Sequence, residues 1–177
     1  SSSSEYFFVE DKLNISINQD LEVKPGESLD IFAEVRKYNN QFLPKGEAAI
    51  IFNNNEEKTA IGFGVFKYTL HVDKNTEAGN FPLYISVKDQ FGNYADKTFN
   101  INILAIPTRI ENLFDSKLLM PNDNGRVKIT LYDHTDKVIN GSVINAKILD
   151  PEKNIIAEKK VENQAYFEFQ LNPNQAP

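Results

Sequence analysis

The 177-residue chain has a net charge of −6 and contains no Cys and no Trp. Without Cys there are no disulfides, zinc–thiolate centres or thiol nucleophiles, and without a basic tract a nucleic-acid backbone is not an expected partner. At 41% hydrophobic and 25% charged residues the chain is too apolar for disorder. No run approaches the roughly 18 apolar residues of a membrane helix, so no membrane insertion is expected.

The chain opens "SSSSEYFFVE", with neither the charged n-region nor the apolar h-region of a secretion signal. The expectation is an extracellular protein, any secretion signal having been removed or lying outside these 177 residues. Tyr6, Phe7, Phe8 and Val9 form an apolar run in an N-terminal extension, residues 1–11, ahead of the first domain's own first strand.

Period-2 alternation then recurs at short spacing, and helical periodicity is nearly absent. Leu13, Ile15 and Ile17 share one face, as do Leu29, Ile31, Ala33 and Val35. "EAAIIFN" is a more continuous apolar run and reads as a strand covered on both sides. A short strand near Lys58–Ile61 follows. Phe66, Tyr68, Leu70 and Val72 align, then Phe81, Leu83, Ile85 and Val87, then Phe99, Ile101 and Ile103. Turn signals stand between them at Pro25-Gly26, Asn53-Asn54-Asn55, Gly79-Asn80 and Gly92-Asn93. About seven strands in about a hundred residues is the count of an immunoglobulin-like sandwich.

Pro107 ends this set. "TRIENLF" is a candidate first strand of a second one. Val127, Ile129 and Leu131 align next, followed by Ile144, Ala146 and Ile148, then "NIIAEKKV", then Phe167, Phe169 and Leu171. The expected fold class is all-β, with two tandem immunoglobulin-like β-sandwich domains at residues 1–104 and 105–177. Pairing Tyr68 with Phe167 gives an offset of 99, and pairing Leu29 with Val127 gives 98. A near-constant offset with matching inward faces points to two copies of one sandwich.

The second copy stops after about five strands. In the first, "FPLYISV" and "ADKTFNINIL" follow; in the second, nothing corresponds. A sandwich without its last two strands exposes its apolar inner face and open sheet edges. Three readings follow. The chain is part of a longer protein whose neighbouring residues complete the sheet; or another copy donates a strand, with Tyr6, Phe7, Phe8 and Val9 as the donor; or the second domain is a compact five-strand variant. One donated strand would replace only one of the two missing.

The chemistry-bearing residues are sparse. His71 alternates with inward Leu70 and Val72 and so points outward, while His134 sits in the turn "YDHTDK". Neither has the company of a catalytic histidine, and serine-nucleophile and phosphate-loop motifs are absent. No enzymatic activity is expected. Calcium is the one candidate cofactor: Asp73, Asn75 and Glu77 alternate in "DKNTE" and would present three oxygens on one side of a loop. Asp and Asn are also the ordinary turn formers. Asn14 and Asn140 stand in Asn-x-Ser sequons as candidate glycosylation sites. Outward Phe32, Tyr84 and Tyr166 are candidates for a glycan-binding face.

"YISVKDQFGNYADKTFNINIL", with Val87, Asp89, Gly92 and Asn93, resembles the closing hairpin of tandem immunoglobulin-like repeats in prokaryotic cell-surface proteins. Asp opens the turn, Gly takes the positive-φ position and Asn tolerates the bend. "VKITLYDHTDKVINGSVINAKILDPEKN" resembles the middle of such repeats, although its turn carries Asp136-Lys137 and lacks the glycine. The resemblance covers roughly residues 12–171. It implies surface-layer, adhesin-stalk or filament proteins, and no catalytic residues. The expected function is a non-enzymatic, self-assembling component of a cell-surface layer or filament. The alternatives are a binding or spacer module of a larger adhesin and an accessory domain of a secreted enzyme. The expected partners are other copies of the chain, or neighbouring domains of a longer one, at the open face of the second domain.

Overall fold

A computed structural model describes residues 12–115, 119–120 and 122–171. Tyr6, Phe7, Phe8 and Val9 lie outside the described residues. The chain divides into two compact units between Leu104 and Ala105. Among the described residues all regular structure is strand, and no helix is long and apolar enough to cross a membrane.

The first unit holds β1 (Leu13–Ile17), β2 (Glu22–Val23), β3 (Ser28–Lys37), β4 (Lys45–Phe52), β5 (Asn55–Gly62), β6 (Val65–His71), β7 (Gly79–Asp89) and β8 (Tyr94–Ile103). They are hydrogen-bonded in the order β1-β3-β6-β5-β4-β7-β8-β2. β5 and β6 pair only at Gly62 and Val65, so the ribbon folds over at that turn. This makes two layers, β1-β3-β6 on β5-β4-β7-β8-β2, with β2 running parallel to β8. The arrangement is an immunoglobulin-like β-sandwich.

Alternation decides what fills it. Ile15, Ile31, Ala33 and Val35 from one layer meet Ala48, Ile50, Leu83, Ile85, Val87, Ile101 and Ile103 from the other, each at most 1% exposed. The continuous apolar run in β4 is not covered on both sides. Ala48, Ile50 and Phe52 point inward, whereas Ile51 points out and is 37% exposed. The other unexpected element is β2, which is two residues long and too short to show a period.

The second unit holds β9 (Pro107–Phe114), β10 (Asn124–Asp133), β11 (Val143–Leu149), β12 (Ile155–Glu162) and β13 (Tyr166–Gln170). β10 is flanked by β13 and β9, and β11 pairs with β12. Pro107 opens β9, a position where its missing N–H costs no ladder bond. Its core is Val127, Ile129, Ala146, Val161, Phe167, Phe169 and Leu171.

The registers align the two units and correct one expected pairing. Ile31 lies opposite Tyr68, and Val127 lies opposite Phe167. Val127 therefore corresponds to Ile31, 96 residues away, and not to Leu29. Tyr68 and Phe167 do correspond, 99 apart. One pair of equivalent positions exchanges bulk. The cross-strand pair Leu29–Leu70 becomes Gly125–Phe169, where a Cβ on Gly125 would sit 2.3 Å from the Phe169 ring.

Three loops close on one clasp. Asp89 Oδ1 accepts from the backbone N–H groups of Phe91 and Asn93, Asn93 Nδ2 donates to Oδ2, and Gly92 takes φ +92°. Asp133 accepts from the N–H groups of Thr135 and Lys137, with Asp136 at φ +61°. Asp150 accepts from the N–H and side chain of Asn154, with Lys153 at φ +68°. The left-handed residue need not be glycine, because the carboxylate already fixes the turn. Burial opposes ionisation of Asp89 and Asp133. The hydrogen bonds outweigh it and hold both carboxyls below the usual carboxylate range.

Candidate binding groove of the second sandwich

β11 carries Ile144, Ala146 and Ile148 on its inner face, opposite Val127 and Ile129 of β10 and Phe167 of β13. Ile110, Asn112 and Phe114 of β9 form the far wall. Together these residues line an open, mainly apolar groove of about 220 Å³. Its two rims are the outer edge of β9 and the edge of β11 turned away from β12. Among the described residues no strand pairs with either rim.

The cost of this opening is visible residue by residue. Every position of β9 is exposed. Ile110 pairs with Leu131 as Ile15 pairs with Val35. Ile15 is 1% exposed and Ile110 is 55% exposed, although both alternate inward. Ile148, the counterpart of fully buried Ile50, is half-buried. Leaving Leu- or Ile-sized side chains in water forgoes about 1.5–3 kcal/mol each.

The other sequence candidates are spread over the molecule. Asp73, Asn75 and Glu77 occupy the connection between β6 and β7. There Asp73 Oδ1 accepts from the N–H of Asn75 at 2.7 Å, the hydrogen bond of a simple turn. Among the described residues no group of three or more His, Cys, Asp or Glu gathers as a cation site. Asn14 on β1 and Asn140 in the turn before β11 are both exposed. Phe32 and Tyr84 face outward from opposite layers of the first unit, and Tyr166 faces outward in the second, so the three do not share a face.

His71 faces outward as the alternation requires, but it is not isolated. It lies directly across from Ser28, whose Oγ is 2.7 Å from Nδ1. Along the same outer face, Thr69 Oγ1 donates to Asp30 Oδ1, and Lys67 pairs with Asp30 Oδ2, both at 2.7 Å. Lys67, then Thr69, holds the Asp30 carboxyl below its usual range. This is a ladder of exposed cross-strand pairs. Only the β3–β6 register reveals it, because the partners are about forty residues apart in sequence.

Sequence reading also missed the loop tips of the first unit. Tyr38, Phe63 and Phe91 are 68, 89 and 77% exposed. The visible signal was an aromatic residue inside a turn, as in "GFG" and "QFGNY", where alternation gives it no inner face.

No family model matches the chain, and neither does any curated protein. Solved structures do resemble it. The CARDB domain of a Pyrococcus furiosus protein, in complex with di-metal ions, is 14% identical over 57% of this chain and 95% of its own (TM-score 0.37). The trypsin-activated alpha-2-macroglobulin of Escherichia coli is 13% identical over 94% of this chain (TM-score 0.40). The adhesin InvE of Yersinia pseudotuberculosis is 13% identical over 94% of this chain (TM-score 0.38). The chain spans 13% of the macroglobulin and 52% of the adhesin.

Proposed function

We propose that this chain is a non-enzymatic, adhesin-type structural module of an extracellular cell-surface protein, joined to its surroundings by completion of the second sandwich. The observation that carries this reading is the groove between β9 and β11. Among the described residues it has an apolar floor, two unpaired strand edges and no convergent catalytic groups. Such a surface recognises a polypeptide in extended form, because main-chain hydrogen bonds give affinity and alternate side chains fill the floor. An extracellular location fits the cysteine-free, acidic sandwich and its resemblance to prokaryotic surface repeats. N-glycans at Asn14 and Asn140 belong to the same proposal.

The decisive experiment is labelling of intact source cells with an antibody to the first unit, read by electron microscopy and by release on brief external protease treatment. Surface label and release are expected; label confined to the cytoplasm overturns the reading. A second reading, a self-assembling layer or filament subunit, is favoured by the exposed Ile110 and Phe114. It predicts ordered lattices or filaments of the purified chain that disappear when residues 1–10 are deleted.

A further inference from the structure

We infer that the loop-tip end of the first unit is a binding site for an acidic polysaccharide, whose sugar rings stack on Phe63 while a carboxylate meets Lys45. This site is separate from the groove of the second unit and does not rest on how that groove is read. Three connections meet at the start of β4. Lys45 lies opposite Gly62, where the β5–β6 turn begins, and Gly46 lies opposite Asp89, where the β7–β8 turn begins. Here an open cleft of about 630 Å³ has the size of a small-ligand site. Small residues, Gly46, Ala60 and Gly62, make up much of its lining, and Phe63, Lys45 and Gln90 supply its chemistry.

The fold alone does not account for Phe63. The β5–β6 turn has two residues, Phe63 at φ +53° and Gly64 at φ +77°. Such turns favour Asn-Gly, because a bulky side chain is strained in the left-handed region. Phe63 carries that strain and is also 89% exposed, so its ring neither suits the turn nor fills the core. The turn is nonetheless tied down. Phe63 N–H donates to the Pro44 carbonyl at 3.1 Å, and the Gly64 carbonyl accepts from the Val35 N–H at 2.8 Å. Phe42 packs against Gly64, where an added Cβ would sit 2.5 Å from its ring, and the Arg36 guanidinium lies 3.9 Å from the Phe42 ring centroid. A ring held this way loses little freedom on binding.

The chemistry of the cleft selects the ligand. The negative face of an aromatic ring attracts the slightly positive C–H bonds of a sugar. The Gln90 amide offers both a donor and an acceptor to hydroxyl groups. Lys45 is the one charged residue lining the cleft, and among the described residues it makes no ion pair. Glu47, the next outward residue of β4, is bracketed by Lys58 at 3.9 Å and by Lys88 directly opposite. The other end of the unit is acidic, with Asp20, Glu22, Glu27, Asp73 and Glu77 against Lys24 and Lys74. That asymmetry steers an anionic chain to the tips. Exposed Tyr38 and Phe91 on the neighbouring connections extend the aromatic surface beyond one sugar. A bilayer fits less well, because Asn39, Asn40, Gln41 and Gln90 would enter hydrocarbon with the rings. An extended peptide would need a strand edge, and β5 guards its own with Glu56, Glu57 and Lys58.

The test is affinity electrophoresis of the 177-residue chain through gels containing polygalacturonate, alginate or uncharged dextran, with flotation on phosphatidylserine–phosphatidylcholine vesicles in parallel. Retardation by at least one uronate polymer and not by dextran is expected. Retardation by neither uronate, or equally by dextran, overturns the inference. Phe63→Asn supplies the residue the turn prefers, so the first unit's urea stability should hold or rise while affinity for the uronate falls at least about tenfold. Lys45→Gln should weaken uronate binding and lessen its dependence on salt. Phe32→Asn removes another exposed ring, from the outer face of β3, and should leave binding unchanged. Unchanged binding by Phe63→Asn or Lys45→Gln, or an equal loss with Phe32→Asn, also overturns the inference. Vesicle binding that Phe63→Asn abolishes, without uronate binding, assigns this end to a bilayer instead.

Discussion

The two units share a scaffold and differ in what closes it. In the first, β7 lies along β4 and β8 along β7, and Ile15, Ile31 and Ile50 of β1, β3 and β4 are at most 1% exposed. In the second, the equivalents of β1, β3, β4, β5 and β6 are present with the β1–β3, β3–β6 and β4–β5 pairings kept, yet the β9 wall stays wet. Ile15 and Ile110 make the contrast local: same inward face, same type of partner, 1% against 55% exposed. Burial of the first strand of such a sandwich is therefore delivered by its last strand, about eighty residues away in the first unit. A strand can be read correctly from its own alternation and still lack its core.

Single substitutions distinguish the closed unit from the open one. The largest contrast is expected from Ile15→Ala against Ile110→Ala. The first removes fully buried carbons and should cost about 2–5 kcal/mol in the first unit's urea transition. The second removes a half-wet side chain and should stay within about 0.5 kcal/mol. Equal costs would mean that the β9 wall is covered in solution. Next is Gly125→Ala, whose Cβ would strike the Phe169 ring and should cost the second unit about 1–3 kcal/mol. Adding Phe169→Leu should recover part of that loss, because it removes the ring atoms that the new Cβ meets.

Asp89→Ala should cost the first unit about 1–2 kcal/mol, since it deserts the N–H groups of Phe91 and Asn93. The Asp clasps also set a shared acid response. The folded-state pKa values of Asp89 and Asp133 are depressed. Their contribution is therefore complete above the unfolded carboxylate value of about 3.9 and is lost as pH falls through the lower folded value. Both transitions should be flat near neutrality and fall below about pH 4. Asp89→Asn should flatten the response of the first unit alone; an unchanged profile would remove the clasp from the account. The smallest effect is expected from Arg126→Ala. Its contacts with Asp115, Glu168 and the Tyr166 ring are exposed, and about 1 kcal/mol or less should be lost.

Much of this was legible in the sequence because strands advertise themselves locally. The inward sets Leu29–Val35, Phe66–Val72, Leu83–Val87 and Phe167–Leu171 all point where alternation puts them. The clasp at Asp89, Gly92 and Asn93 was equally visible, since its bonds stay within five residues. What failed was non-local. The offset between Leu29 and Val127 preserved the inward face but slipped by two residues, because parity cannot fix register. The Ser28–His71 pair and the floor of the groove appear only when strands distant in sequence are laid side by side. β2 was invisible because two residues have no period. Aromatic loop tips such as Phe63 belong to turns, and the alternation rule says nothing about turns.

Among the described residues the second sandwich is open along β11, while the first is closed along β4. The most direct measurement is residue-resolved hydrogen exchange of the 177-residue chain, comparing the amides of β4 with those of β11 that point away from β12. Protection of β4 close to the first unit's global stability, with exchange at least a hundredfold faster at the outward amides of β11, is the predicted result. Equal protection of the two strands at every protein concentration would contradict it.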